Sequence, residues 1–164
     1  MRNVTIYTDG ACKNNPGPGG YGVVLQYGEN IKELSAGYRL TTNNRMEIMA
    51  AIIGLEALKE PCEVRLMSDS QYLVNAIEKG WARRWQANGW MRNNKEKAVN
   101  PDLWERLLVL CKTHKVRFKW VRGHTGHPEN ERCDELATSA AASQNLAIDE
   151  TYDRRSYGNA DLFD

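Results

Sequence analysis

The sequence predicts an α/β fold in which a mixed sheet of five strands is flanked by helices. Three strand-like segments follow one another within the first 40 residues, and two later ones alternate with helix-like segments. Consecutive strands with short turns indicate an antiparallel meander, whereas strands separated by helices indicate parallel pairing through right-handed crossovers. A chain of 164 residues fits one domain with a core of its own.

The first three strands are indicated by alternating apolar and polar residues. The alternation covers residues 4–9, 21–27 and 31–39, with a short turn before the third run. Residues 10–20 are rich in glycine and proline, so they predict a loop between the first two strands.

Capping residues and apolar spacing predict the remaining elements. Either Thr42 or Asn43 can cap a helix whose apolar residues recur at helical spacing until Pro61 ends it. Asn100 followed by a proline indicates another helix start. The later elements are a strand at 64–68, a helix at 71–79, a helix from 100, a strand at 116–121 and a helix at 127–142.

We expect one domain over residues 1–147 and a polar C-terminal tail over residues 148–164. The tail has few residues suited to a core, so it is expected either to be disordered or to fold back. Residues 79–100 form a basic segment between two predicted helices.

The formal net charge of +1 hides a strong asymmetry. Residues 79–122 contain twelve basic and three acidic residues, so the rest of the chain carries a net charge of −8. This division predicts one face that binds a polyanion and another that gathers carboxylates.

The sequence also limits the compartment. No apolar stretch approaches 18 residues and the N-terminus lacks a signal-peptide core, so we expect neither membrane insertion nor secretion. The cysteines are widely spaced and form no CxxC pair, which favours free thiols and a cytoplasmic location. They are Cys12, Cys62, Cys111 and Cys133.

Four acids fall at informative places. Asp9 ends the first predicted strand and Asp69 follows the fourth, so parallel pairing of these strands would put the two carboxylates side by side. Glu47 lies one turn into the first helix, close to its apolar face, and Asp134 lies in the second turn of the last helix. An acid beside a packed face is expected to be paired or to bind a metal.

Four converging carboxylates would repel one another and would need cations. Carboxylate oxygens suit hard ions such as Mg²⁺ or Mn²⁺. Two such ions about 3.5–4 Å apart favour in-line displacement at phosphorus. For any single acid, an ordinary surface salt bridge remains the more common interpretation, and only the joint pattern favours the metal site.

Longer motifs carry a family resemblance. The segments TDGACKNNPGPGGYG, TTNNRME, SDSQY, NPDLW and WVRGHTGHPENERCDELA resemble the bacterial type 1 ribonuclease H family (ribonuclease HI), in order and spacing, from residue 4 to residue 142. The resemblance implies the ribonuclease H fold, a five-stranded mixed sheet with helices. It also implies Mg²⁺-dependent hydrolysis of the RNA strand of an RNA–DNA hybrid by a monomeric endoribonuclease, with Mn²⁺ able to replace Mg²⁺.

The resemblance also implies a role for each acid. Asp9 would bridge two ions, Glu47 and Asp69 would hold the ion at the leaving oxygen, and Asp134 would hold the ion that activates water. The products would carry 5′-phosphate and 3′-hydroxyl ends.

His124 lies in a loop between two glycines, and the resemblance makes it the catalytic histidine. An imidazole titrates close enough to neutrality to move a proton or to help product release. A zinc site of His124, His127 and Cys133 is disfavoured because its spacing fits no common finger pattern. The favoured interpretation of His127, which precedes Pro128, is a helix cap.

Small polar residues beside the acids suit an RNA strand, because the 2′-hydroxyl both donates and accepts hydrogen bonds. The resemblance implies RNA contacts from Asn15, Asn43, Asn44 and Gln71, with Cys12 nearby. The alternative is ordinary turn and capping chemistry, and for Asn43 and Asn44 both interpretations can hold.

The basic segment at residues 79–100 interleaves tryptophans with cations, which suits a phosphate backbone and sugars. It resembles the substrate-binding protrusion of the family, and we call it the protrusion. Contacts to the DNA strand are expected from Trp81, Arg83, Arg84 and Trp85, whereas Trp90 and Trp104 are expected in the core. Thr42 and Asn100 would complete a pocket for a DNA phosphate. Two departures from relatives affect affinity: residues 86–88 lack a cation, and Leu40 stands where some relatives have arginine.

The predicted function is therefore an endoribonuclease acting on RNA–DNA hybrids. One alternative is a non-catalytic hybrid-binding module, which the four acids argue against. Another is a DNA nuclease of the same fold, which the asparagine and glutamine set argues against.

The C-terminal tail contains a second, weaker motif. Residues 160–163, Ala-Asp-Leu-Phe, resemble the segment by which bacterial proteins dock on the replication sliding clamp, although Asn159 stands where glutamine is usual. The favoured alternative is that Leu162 and Phe163 pack against their own domain.

Overall fold

A computed structural model describes residues 1–123 and 126–153 as a five-stranded sheet with helices on both faces. The strands are β1 (Arg2–Cys12), β2 (Gly17–Tyr27), β3 (Asn30–Thr41), β4 (Cys62–Ser68) and β5 (Lys115–Trp120). Their order across the sheet is β3-β2-β1-β4-β5. β1, β2 and β3 pair antiparallel, and β4 pairs parallel with both β1 and β5. The predicted mixed sheet is confirmed.

The helices are α1 (Asn43–Glu56), α2 (Gln71–Glu78), α3 (Trp81–Ala87), α4 (Pro101–Thr113) and α5 (Pro128–Ala141). Thr42 caps α1 by accepting a hydrogen bond from the Arg45 N–H. Of the two predicted caps, Thr42 and Asn43, the structure therefore has Thr42. His127 occupies the N-cap position of α5, but its side chain makes no capping hydrogen bond. Apolar side chains of α1, α2 and α4 form the core with one face of the sheet, and α5 covers part of the other face.

The glycine-rich segment at residues 10–20 is mostly strand, so the loop prediction was wrong. β1 continues to Cys12 and β2 starts at Gly17, leaving only residues 13–16 as the connection. Glycine serves close packing here: a Cβ at Gly22 would lie 2.2 Å from the Cys133 carbonyl oxygen, and one at Gly20 would lie 2.6 Å from that of Ala137. These glycines let α5 rest directly on β2.

Asp9 therefore does not end its strand, which runs three residues further. The short helix α3 in the basic segment was also not predicted, because its seven residues are too few to establish a helical period, although Trp81 and Trp85 stand four residues apart. Gly80, with φ of +74°, turns the chain between α2 and α3.

The start of the predicted tail folds back onto the domain. The Ala147 carbonyl oxygen accepts a hydrogen bond from the Arg39 N–H at 2.9 Å, and Asp153 accepts one from the Arg39 guanidinium at 3.1 Å. Of the two predicted alternatives, folding back therefore holds for residues 148–153. The clamp-like residues 160–163 lie outside the described residues.

A buried arginine ties this C-terminal segment to two helix starts. Arg45 is 1% exposed, and its guanidinium contacts Asp149 at 2.7 Å and Asp102 at 2.7 Å. It also donates to the side-chain oxygen of Asn100 at 3.1 Å, while the Thr41 hydroxyl donates to Asp149 at 2.8 Å. Hydrogen bonds to Asp102 and Asp149 raise the pKa of Arg45, although burial opposes them, so it stays charged.

In the described ranges, no helix combines the length and the apolar character needed to cross a bilayer. All four cysteines are free thiols, as predicted.

Removing the Asp149 carboxylate should destabilise the fold. In Asp149→Ala, one of the two carboxylates that neutralise buried Arg45 is lost, so we expect the unfolding free energy to fall by about 3 kcal/mol in urea denaturation. The matched control is Glu60→Ala, which breaks the exposed pair with Arg2 and should cost less than about 1 kcal/mol. Equal losses in the two variants would contradict the buried ion-pair assignment.

Candidate active site

Three of the predicted acids converge at one end of the sheet. Asp9, Glu47 and Asp69 each offer a carboxylate oxygen, and these oxygens all lie within 4.8 Å of one another. Asp9 and Glu47 are 8% and 7% exposed, and Asp69 is half-buried. Because two of the three acids are buried and their oxygens lie together, the cluster is not a set of separate surface salt bridges.

Strand register and a glycine bring these side chains together. β1 and β4 pair in parallel as far as Thr8 opposite Ser68, so Asp9 and Asp69 follow as neighbours. Glu47 arrives from α1, which packs against β1 at Gly10: a Cβ there would lie 2.6 Å from the Glu47 nitrogen. Glycine at this position therefore allows the third carboxylate to reach the other two.

The fourth acid, Asp134, borders the same pocket from the second turn of α5. This pocket of about 320 Å³ is lined by Thr8, Asp9, Asp69, Gly123, Asn130, Glu131, Asp134 and Glu135. Sequence reasoning missed Asn130, whose side-chain nitrogen and oxygen are both buried without a hydrogen-bond partner in the protein. Its spacing of four residues from Asp134 on one helix was a signal that could have identified it.

The pKa values of Asp9 and Glu47 are raised above those of exposed carboxyls. Burial, followed by the charge of Asp69, raises the pKa of Asp9 to about 7. Burial, followed by the charges of Asp9 and Asp69, raises the pKa of Glu47 well above its usual range. The hydrogen bond from the Gly10 N–H to Asp9 at 2.9 Å opposes this shift only in part.

The donor set fits a hard divalent cation. One Glu47 oxygen, Oε2, is buried without a hydrogen-bond partner, which is a costly arrangement unless a ligand completes it. Three clustered carboxylates supply the oxygen ligands and the negative charge that Mg²⁺ and Mn²⁺ prefer. The cluster can therefore hold a metal ion.

The predicted RNA-contacting residues lie at helix starts and strand ends near the acids. The Asn15 side-chain oxygen accepts a hydrogen bond from the Asn43 N–H at 3.0 Å, so the 13–16 connection meets the start of α1. Asn44 and Gln71 are exposed in the first turns of α1 and α2. Cys12 ends β1, with its sulfur 3.4 Å from the Thr41 carbonyl oxygen.

Asn100 is 4% exposed and is held by Arg45 at the start of α4. Because Arg45 donates to the side-chain oxygen of Asn100, the side-chain NH₂ group is the donor that Asn100 could offer to an anion. Thr42 precedes α1, the same helix that carries Arg45, so this arginine connects the two residues predicted to bind a DNA phosphate.

The protrusion divides its tryptophans between core and surface. Trp85 was predicted as a surface contact, but it is 9% exposed and packs between Tyr72 and Trp104, with ring centroids 6.4 and 6.0 Å away. Trp104 is fully buried, as expected, and Trp90 packs partly buried against the core. Trp85 is therefore mainly a core residue, because its indole fills the space between α2 and α4.

The surface part of the protrusion is a groove beside α3. The groove is lined by Tyr72, Trp81, Arg84, Trp85, Asn88 and Arg92. Trp81 is half-buried, and Arg83 and Arg84 are exposed. His124 lies outside the described residues.

The raised carboxyl pKa values predict an unusual pH dependence of stability without metal. Between pH 4 and 7 the folded protein binds more protons at this site than the unfolded chain, so stability should fall as pH rises through that window. In EDTA at pH 8, the Asp9→Asn variant should therefore be more stable than the wild type, with an unfolding free energy higher by on the order of 1–3 kcal/mol. Denaturation from pH 4 to 8 measures this, and a variant that loses stability at pH 8 would contradict it.

Comparisons with known proteins agree with this geometry. The family model described as RNase H matches residues 1–142. The ribonuclease H of Desulforamulus reducens is 68% identical over 149 residues, covering 91% of this chain and 94% of the relative. The ribonuclease HI of a Synechocystis strain is 59% identical, covering 92% of this chain and 94% of the relative.

Solved structures show the same fold. The crystal structure of LC9-RNase H1, a type 1 RNase H with the type 2 active-site motif, matches with a TM-score of 0.79 at 30% identity, covering 90% of this chain and 75% of that one. That of LC11-RNase H1 in complex with RNA/DNA hybrid matches with a TM-score of 0.65 at 25% identity, covering 85% and 96%. Because the family model spans most of the sequence and close relatives match almost end to end, the chain belongs to the bacterial type 1 ribonuclease H family.

Proposed function

We propose that this protein hydrolyses the RNA strand of RNA–DNA hybrids at the acid cluster, using two Mg²⁺ ions that Mn²⁺ can replace. The observation that carries the proposal is the convergence of Asp9, Glu47 and Asp69 within 4.8 Å, with one buried Glu47 oxygen left unpartnered. The names of the relatives, ribonuclease H and ribonuclease HI, support the same reaction.

Each acid has a distinct place in this proposal. Asp9, the central carboxylate, would be shared by both ions, Glu47 and Asp69 would hold one, and Asp134 would hold the other. When bound, the ions would lower the pKa of an attacking water and neutralise charge on the leaving oxygen. Hydrolysis would leave 5′-phosphate and 3′-hydroxyl ends.

The chain's own residues would orient the substrate and move the proton. Asn15 and Asn43, already joined by a hydrogen bond, would present amide groups to RNA 2′-hydroxyls with Asn44, Gln71 and Cys12 beside them. His124 would accept or return a proton near the attacking water, since an ordinary imidazole titrates near neutrality.

The DNA strand would lie on the other side of the cluster, along α3. Trp81 and the edge of Trp85 offer ring surface in the groove, and Arg83 and Arg84 offer cations for phosphates. Thr42 and Asn100 would bind one DNA phosphate.

Two competing functions are less well supported. A hybrid-binding module without activity would have no use for clustered acids whose pKa values are raised by burial and by the charges of their neighbours. A DNA nuclease of this fold would not need the amide groups of Asn15 and Asn43 at a 2′-hydroxyl position.

Further expectations come from sequence alone. We propose a monomeric cytoplasmic enzyme whose catalytic domain covers residues 1–147. For the tail there are two hypotheses: residues 160–163 dock on a sliding clamp, or Leu162 and Phe163 pack on their own domain. The second is the favoured one. Clamp pull-down with the full chain and with a chain ending at Asp153, which keeps the Asp149 contact to Arg45, separates these, and equal recovery would end the clamp hypothesis.

Substitution of Asp9 should remove activity but not folding. Asp9→Asn deletes the ligand shared by both ions, which is worth several kcal/mol, so cleavage should slow by about 10³-fold. Gel analysis of a hybrid labelled on its RNA strand, with Mg²⁺, Mn²⁺ or EDTA, measures the rate, and duplex DNA of the same sequence should stay intact. Glu60→Gln, an exposed acid elsewhere, is the matched control. An Asp9→Asn rate within tenfold of wild type would refute the assigned role.

Two tryptophans of the protrusion should behave differently. Trp81→Ala removes ring surface that faces the groove, so KM for a hybrid should rise about tenfold with kcat nearly unchanged. Trp85→Ala leaves a core cavity and should instead lower the unfolding free energy by about 3 kcal/mol. Steady-state kinetics together with urea denaturation tests both, and a KM effect confined to Trp85→Ala would reverse the assignment.

A further inference from the structure

One face of the sheet is only half covered. α5 packs against β1, β2 and β3, whereas the described helices that contact β4 and β5 are α2 and α4, which belong to the core side. Along β4 the even-numbered residues are buried and Glu63 and Arg65 are exposed, and along β5 Lys115, Arg117 and Lys119 are exposed. The odd-numbered side of β4 and β5 is therefore an open sheet surface.

Strand register arranges this surface as a regular grid. β1, β4 and β5 run parallel and in register, so one residue from each strand forms a row. Rows on the open side are separated by two residues, or about 6.6 Å along the strands. The three rows are Asn3–Glu63–Lys115, Thr5–Arg65–Arg117 and Tyr7–Met67–Lys119.

The grid is strongly basic. A shallow groove of about 730 Å³ crosses it, and the described residues that line it include Arg65, Lys112, Lys115 and Arg117 but only one acid, Glu63. Glu78 approaches Arg117 at 3.9 Å, a distance too long for a strong hydrogen bond, and the Arg117 side chain remains 82% exposed. Exposed cations in such a row attract a chain of regularly spaced negative charges.

The basic grid leads into the active-site end of the same sheet face. Asp9 lies two residues beyond Tyr7, and Asp69 lies two residues beyond Met67. Side chains two residues apart lie on the same face of a sheet, so both acids follow the open side. The Thr5–Arg65–Arg117 row then lies about 13 Å from the acid pair along the strands. Glu129, at the start of α5, borders the Tyr7 end.

We propose that this open sheet surface binds single-stranded nucleic acid, namely an unpaired flank of a hybrid held in the active site. Its cations suit phosphates, while the half-buried ring of Tyr7 and the side chains of Thr5 and Asn3 suit bases and sugars. A polyphosphate strand fits better than an acidic peptide because the surface offers ring and polar groups between the cations. The flank would reach the surface directly from the acid cluster.

Direct binding tests the proposal without cleavage. The full chain in EDTA is titrated against fluorescent 15-nucleotide U and dT strands at several salt concentrations, which separates RNA from DNA as the source of the flank. Arg65→Glu/Arg117→Glu should weaken binding by at least about tenfold at low salt. The neutral pair Arg65→Gln/Arg117→Gln should reduce the slope of log K against log salt by about 1.4, since each lost phosphate contact removes about 0.7.

Matched variants exclude a bulk charge effect. Lys32→Glu/Lys59→Glu makes the same charge change near the opposite edge of the sheet, and it should leave strand binding within about twofold of wild type. Arg83→Glu/Arg84→Glu tests the protrusion, and thermal unfolding checks every variant.

The proposal would be overturned by any of the following results. The first is an equal loss in the sheet-surface and Lys32/Lys59 variants, or an unchanged salt slope in the glutamine pair. The second is loss of binding only in the Arg83/Arg84 variant, which would place single strands on the protrusion. The third is equally tight binding of a labelled 15-residue polyglutamate, which would make the surface a site for acidic peptides.

Discussion

The in-register parallel pairing of β1 with β4 is the constraint on which the site depends. Because Thr8 lies opposite Ser68, the next residues of the two chains, Asp9 and Asp69, project side by side. A slip of one residue would turn one carboxylate to the opposite face of the sheet. Glu47 completes the cluster only because Gly10 has no side chain to hold α1 away from β1.

This convergence has an electrostatic cost that the fold does not relieve internally. Arg45 lies only two residues before Glu47, yet residues at that spacing do not face each other on a helix. Its guanidinium is instead held by Asp149 and Asp102. The arginine thus anchors the start of α1 without neutralising the acid cluster, so burial and mutual repulsion leave the pKa of Asp9 raised to about 7. That unrelieved negative charge is what a divalent cation would bind.

The sequence could predict features that depend on local pattern. Alternation located the strands, the two candidate caps Thr42 and Asn43 located the start of α1, and the positions of Asp9 and Asp69 followed from parallel pairing. What failed depended on distant partners. The glycines at residues 20 and 22 resemble a loop until α5, more than 100 residues later, is seen to pack directly on them. Likewise, nothing local shows that Asp149 reaches back 104 residues to Arg45, or that Trp85 is enclosed by Tyr72 and Trp104.

The distribution of charge explains how a nearly neutral chain can handle a polyanion. The described residues that line the acid pocket include no lysine or arginine, so attraction of a phosphate to the reaction centre has to come from bound cations. Basic residues lie instead on α3 and on the exposed side of β4 and β5, where we propose that they bind phosphates several nucleotides away. Binding and chemistry therefore rest on different charges. Withdrawing the divalent ions would make the centre repel the strand while the flanking surfaces continued to hold it.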